Sequence, residues 1–151
     1  MVIIAACLLL FACNNNADKE VVISIDSTAG NSDISSWAPD LDDTTGRLVM
    51  KKVTTDGPDT LSVSSVIEFL NRTNPNVQLF LTRTSGDTIY IHIPQADYLT
   101  QQMGSTGPTM YFANAVYNLT EVPGYHVVNF DFIEGDHAMP GPLNRESFKD
   151  E

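Results

Sequence analysis

Residues 104–133, GSTGPTMYFANAVYNLTEVPGYHVVNFDFI, decide the fold of this chain. The stretch reads as a helix, a Pro-Gly break and a strong strand. Ser105 or Thr106 is a candidate N-cap, and Pro108 stands near the first helical position, where its missing N–H is no loss. Thr109, Phe112, Ala113, Val116 and Leu119 or Thr120 recur at helical spacing, with Met110 and Tyr117 beside them. Pro123-Gly124 ends the helix. From His126 to Ile133 the chain alternates, with Val128, Phe130 and Phe132 on one side and Val127, Asn129 and Asp131 on the other.

Upstream of this stretch the same two periods recur. Arg47–Thr54 has strand composition. Asp56-Gly57-Pro58-Asp59 is a turn cluster, after which Asp59 or Thr60 is placed to cap a helix. Val63, Val66, Ile67 and Leu70 form its single apolar stripe, and Pro75 stops it. Val77, Leu79 and Leu81 then alternate with Gln78, Phe80 and Thr82, and Ile89, Ile91 and Ile93 alternate with Tyr90 and His92. Ser85-Gly86-Asp87 between them predicts an antiparallel hairpin. Gln95–Met103 is a connection with room for a helical turn. The expected fold class is therefore α/β (α+β), a two-layer sandwich of a four-stranded sheet and two helices in the order β-α-β-β-α-β. Residues 47–136 form that domain, and residues 137–151 read as an irregular tail.

The chain has 151 residues, 42% of them hydrophobic and 18% charged, which suits one packed domain. Its formal charge of -11 repels phosphate backbones and anionic lipid headgroups, so nucleic acid is not an expected partner. Both cysteines, Cys7 and Cys13, precede the predicted domain. Cysteine thus supplies the domain with no disulfide, thiolate metal site or nucleophile.

Residues 2–12, VIIAACLLLFA, form an uncharged apolar run shorter than the roughly 20 residues of a spanning helix. The run suits the core of a secretory signal. Its end, Leu10-Phe11-Ala12-Cys13, resembles the bacterial lipobox, although no Lys or Arg precedes it and Phe11 is bulky for its place. The resemblance implies that residues 1–12 are a cleaved signal peptide and that Cys13 is lipidated. The protein would then be a membrane-anchored lipoprotein of the bacterial cell envelope, carrying palmitate-type acyl chains and facing the periplasm or exterior. Residues 13–46 follow as tether and loop. Within them Val21–Ile25 is a candidate edge strand, and Trp37, the single tryptophan, is expected to pin the loop to the core. Asp40, Asp42 and Asp43 do not have the order of an EF-hand loop and read as solvated acids.

The 47–136 region resembles the GerMN domain, a sporulation and spore-germination module also found in bacterial envelope lipoproteins. Gly86-Asp87-Thr88-Ile89-Tyr90-Ile91 matches its first strand element. Asn118-Leu119-Thr120-Glu121-Val122-Pro123-Gly124 matches its helix-ending phrase, and Val127–Phe130 with Glu134-Gly135-Asp136 matches its last strand and turn. Ile91-His92-Ile93-Pro94 departs from the family's strand ending. The resemblance implies a non-enzymatic envelope module that binds peptidoglycan or a protein partner.

No H-E-x-x-H, G-x-S-x-G or phosphate-loop motif is present, and no catalytic residue or cofactor is assigned. Gly104–Pro108 lacks the lysine of a phosphate loop and reads as a helix cap. Asp131, Glu134, Asp136 and His137 are the densest run of ligand-type residues. Asp136 and His137 are the candidate metal ligands if the protein is instead an envelope hydrolase or metal-dependent enzyme. Tyr90 and His92 share a strand face with Gln78 and Phe80 and are the candidate binding residues. A structural or assembly lipoprotein of a larger complex is the third alternative. Asn71-Arg72-Thr73 and Asn118-Leu119-Thr120 match the N-glycosylation triplet, and each is read as part of a helix. Four Asp-Ser/Thr triplets, including Asp43-Thr44-Thr45 and Asp87-Thr88-Ile89, resemble bacterial O-glycosylation sites.

Overall fold

The computed structural model describes residues 34–54 and 57–149. The lipobox, Cys7, Cys13 and the Val21–Ile25 segment lie outside the described residues. Over these residues the chain is a mixed α/β protein with a four-stranded sheet, a two-stranded sheet and two α-helices.

The first sheet pairs β1 (Ser36–Leu41) with β2 (Leu48–Val53), antiparallel. Helix α1 (Val63–Thr73) follows, then β3 (Phe80–Ser85) and β4 (Thr88–His92). A single π-helical turn at Tyr98–Gln102 leads into α2 (Gly107–Leu119). Strands β5 (Val127–Asp131) and β6 (Gly141–Leu143) and a 3-10 turn at Arg145–Phe148 complete the described chain. The four-stranded sheet has the order β3-β4-β5-β6. Its central pair β4/β5 is parallel and both outer pairs are antiparallel.

Sequence period explains the core. Ile89 and Ile91 of β4 and Val128 and Phe130 of β5 are buried on one side of the sheet, as alternation demands. Val63, Val66, Ile67 and Leu70 supply the apolar stripe of α1, and Phe69 joins them. Phe112 lies against Phe130 and Phe132, with ring centroids 4.8 and 5.9 Å apart. Helix α2 differs from α1 in being buried nearly all round, because Ala113, Ala115, Val116 and Leu119 are all fully enclosed. Such a helix has neighbours on more than one side. The four-stranded sheet and α1 cover part of it, and the β1–β2 ribbon packs against it as well.

That packing corrects the expected architecture in three respects. The order is β-β-α-β-β-α-β-β rather than β-α-β-β-α-β. The Leu48–Val53 strand does not enter the main sheet but pairs with Ser36–Leu41, a segment read as loop. The ribbon therefore adds a partial third layer to the expected two. The physical reason is local. A tight turn holds the two strands together, with the Asp42 N–H donating to the Arg47 carbonyl at 2.9 Å and Gly46 N–H to Asp42 at 2.8 Å. Gly46 has φ 70, which favours glycine. The Asp42 carboxylate accepts from both backbone and hydroxyl groups of Thr44 and Thr45, which hold its pKa well below the usual carboxylate range.

Residues read as irregular tail supply the sheet's fourth strand. Pro142 in β6 lacks an N–H, which an edge strand tolerates. Phe148 beyond it is buried at 7% exposure. The first helix is capped by Ser62, not Asp59 or Thr60: its hydroxyl accepts from Ser65 N–H at 3.2 Å. Thr106 occupies the N-cap position of α2 but makes no side-chain capping bond, and Ser105 precedes it.

Two asparagines join helices to extended chain by the same device. On α1, Asn71 accepts from Leu79 N–H at 2.7 Å and donates to Leu79 O at 3.0 Å. On α2, Asn118 accepts from Trp37 N–H at 2.8 Å and donates to Trp37 O at 2.9 Å. Each side-chain amide thus replaces one rung of a β-ladder. Both asparagines belong to glycosylation triplets, and both are occupied in packing.

One buried polar group has no such arrangement. The Tyr111 hydroxyl, on a side chain 3% exposed, has no hydrogen-bond partner among the described residues, and burial pushes the phenol's pKa up. Tyr111→Phe removes that desolvated group and keeps the ring, so it raises stability by about 1 kcal/mol. Urea unfolding checks this, and a lowered midpoint contradicts it.

Candidate binding face

The helices cover one face of the four-stranded sheet. The opposite face is built by the alternate residues, which the pleat sends outward. On β4 these are Thr88, Tyr90 and His92, and on β5 Val127, Asn129 and Asp131. None of the six is buried, whereas Ile89, Ile91, Val128 and Phe130 between them are. The register sets Tyr90 beside Asn129 and His92 beside Asp131. On β3, Phe80 stands opposite His92 and Arg83 opposite Tyr90, across an irregularity in register between Leu81 and Arg83. That irregularity keeps Arg83 on the outer face.

The face is already ordered by its own contacts. The Arg83 guanidinium lies 3.4 Å from the Tyr90 ring centroid, a close cation–π stack. His92 Nδ1 and Asp131 Oδ2 are 2.9 Å apart. Phe80 remains 53% exposed, beside a pair of polar groups. An aromatic side chain next to fixed polar groups is the makeup of a recognition surface rather than of a catalytic centre.

Of the candidate binding residues, Tyr90 and His92 share this face with Phe80. Gln78 does not, because its amide turns back to donate to Pro75 O at 3.0 Å, beside the end of α1. Arg83, Asn129 and Asp131 complete the face; alternation puts Asn129 and Asp131 on the outward side of their strand but does not set them beside Tyr90 and His92. Arg83 is hidden by the irregularity in β3. Asn129 and Asp131 depend on a parallel pairing that no local pattern announces.

The acidic run behaves differently from a ligand set. Asp131 engages His92, and His137 is placed by its backbone N–H, which donates to Thr100 O at 3.0 Å. Among the described residues no group of three or more His, Cys, Asp or Glu side chains is arranged to share a metal ion. Asp136 and His137 therefore stand without a third ligand there.

A second feature lies at the opposite end of the sheet. A cleft of about 540 Å³ is lined by Asp87, Thr120, His126, Val127, Asn144, Arg145 and Glu146. Its Arg145 is committed to structure. The guanidinium donates to Thr120 Oγ1 at 2.9 Å, Tyr117 O at 2.9 Å and Glu121 Oε2 at 2.6 Å. Glu121 also accepts from Trp37 Nε1 at 3.0 Å and Lys52 Nζ at 2.9 Å. Trp37 is thus fixed by its backbone and its indole together, with its ring 5.3 Å from Tyr117. This cluster joins the ribbon, the end of α2 and the terminal turn. It explains the Asn118–Gly124 phrase as a structural corner.

No protein-family model, curated protein or solved structure matches the chain.

Proposed function

We propose that the protein is a lipid-anchored cell-envelope module that binds peptidoglycan or an envelope protein through the open face of its four-stranded sheet, without catalysis. The observation that carries this reading is the row Phe80, His92 and Asp131, flanked by Arg83, Tyr90 and Asn129, on a sheet face that no helix of the described residues covers. The GerMN resemblance supports the same class of role. The lipobox-like Leu10–Cys13 supplies the location. Acyl chains on Cys13 add about 0.8 kcal/mol of membrane affinity per buried methylene, so two or more chains anchor the protein stably. Among the described residues no helix is long and apolar enough to cross a membrane.

Fractionation of cells fed a labelled fatty acid tests the anchor. Cys13→Ala abolishes labelling and moves the protein from the membrane to the soluble fraction. A labelled, membrane-bound Cys13→Ala protein contradicts it.

A further inference from the structure

Five large hydrophobic side chains are exposed among the described residues, and four of them gather at one end of the open sheet. Phe80 is 53% exposed and Leu81 38%, at the start of β3. Ile133 at 85% and Met139 at 71% belong to the loop between β5 and β6. Register connects them. Phe80 pairs with His92 and His92 with Asp131, so Phe80 and Asp131 stand about 10 Å apart across the sheet. Ile133 follows two residues later. Met139 lies two residues before Gly141, which pairs with Phe130.

The loop is held rather than loose. Gly135 and Ala138 form a β-bridge, Ala138 is 9% exposed, and His137 N–H binds Thr100 O. Gly135 lies so close to the π-helical turn that an added Cβ would stand 2.6 Å from the Thr100 Cβ. Ile133 and Met139 are therefore displayed from a fixed backbone.

His137 apart, the charge-bearing side chains of the loop that displays Ile133 and Met139 are acidic. Asp131, Glu134 and Asp136 are exposed, and no Lys or Arg occurs between Arg83 and Arg145. Arg83 is stacked on Tyr90, and Arg145 is bound to Glu121. A second copy of the chain would set these carboxylates against their own counterparts, and an anionic lipid surface would be repelled. Exposed apolar groups beside Glu134, Asp136 and the His92-paired Asp131 complement a cationic surface that carries apolar side chains.

We propose that this end of the sheet docks a polypeptide segment of a partner protein in which apolar side chains are flanked by Lys or Arg. The apolar groups meet Phe80, Ile133 and Met139, and the cations meet Asp131, Glu134 and Asp136. This rests on the binding-module reading and chooses the protein partner over the wall glycan.

In-cell photo-crosslinking of the full chain tests it, with a benzophenone amino acid placed at Ile133, Met139, Phe80 or, as a remote control, Leu41. The expected result is one protein adduct shared by positions 133 and 139 and absent at 41, its crosslinked peptide containing Lys or Arg. Glu134→Lys/Asp136→Lys lowers that adduct at least about tenfold while leaving the circular dichroism spectrum unchanged. An adduct unaffected by charge reversal, one with a second copy, or one with wall glycan overturns the cationic-partner proposal. A glycan adduct leaves the binding-module reading standing, whereas no adduct at 80, 133 or 139 removes both.

Discussion

Replacing Asn118 with alanine lowers the unfolding free energy by about 3 kcal/mol and loosens the β1–β2 ribbon. Asn118 is only 3% exposed, and its amide satisfies both the N–H and the carbonyl of Trp37. The truncation deletes the two hydrogen bonds to Trp37, each contributing about 1 kcal/mol, along with those to Asn114, and leaves two partly buried backbone groups without partners. Alanine's better helix propensity returns only about 0.6 kcal/mol. Asn118→Asp is no remedy, because it keeps the acceptor for Trp37 N–H but sets a carboxylate against Trp37 O. Trp37 is the single tryptophan, so its fluorescence reports this site alone. The expected result is a lower urea midpoint with red-shifted native emission. Unchanged emission and midpoint would show that the ribbon is held by something else.

Glu121 is the second fulcrum, and its effect depends on pH. Burial pushes its carboxyl up, but hydrogen bonds from Arg145, Lys52 and Trp37, together with the Lys52 charge, outweigh burial and hold the pKa at about 2. In the unfolded chain the group titrates at its ordinary value of 4.5. Its contribution is therefore complete above the unfolded pKa and disappears as pH falls from there through about 2. Glu121→Gln removes the charge and turns an amide NH2 toward donors. At pH 7 it costs about 2 kcal/mol, the range of hydrogen bonds to charged groups. Wild type and variant then converge as the pH is lowered. Asp42 also resists protonation, but it is common to both chains and cancels in the difference. Urea unfolding of both proteins at pH 7 and at pH 3 checks this. A stability gap that widens on acidification contradicts it.

The parts of the fold legible in the sequence are those in which one short period settles both structure and burial. The stripe of α1, the Gly86 hairpin and the inward set Val128, Phe130 and Phe132 belong here. The two-residue link at Gly86 leaves the hairpin almost no other register. What was not legible depends on partners distant in sequence. Ser36–Leu41 contains a proline and an aspartate and has no alternating pattern. It becomes a strand because Leu48–Val53 pairs with it and Asn118 holds it from 81 residues away. Gly141–Leu143 is three residues long and centred on proline, and only the edge offered by β5 makes it a strand. In the candidate face, Tyr90 and His92 follow from alternation along β4. Asp131 reads as a potential metal ligand until the parallel pairing of β4 and β5 sets it against His92.

The central claim is that the open sheet face carries the binding function. Its most direct measurement is retention of the full chain on isolated cell walls and on detergent-solubilised envelope proteins, for wild type and for Phe80→Ser/Tyr90→Ser. Both positions point away from the core, so the variant loses the Arg83–Tyr90 stack, about 1 kcal/mol, and stays folded at the assay temperature. The account predicts that the wild type is retained on one of the two and that the variant's retention falls at least about tenfold, as expected when aromatic anchors are lost. Equal retention of the two proteins, or no retention of the wild type on either, would contradict it.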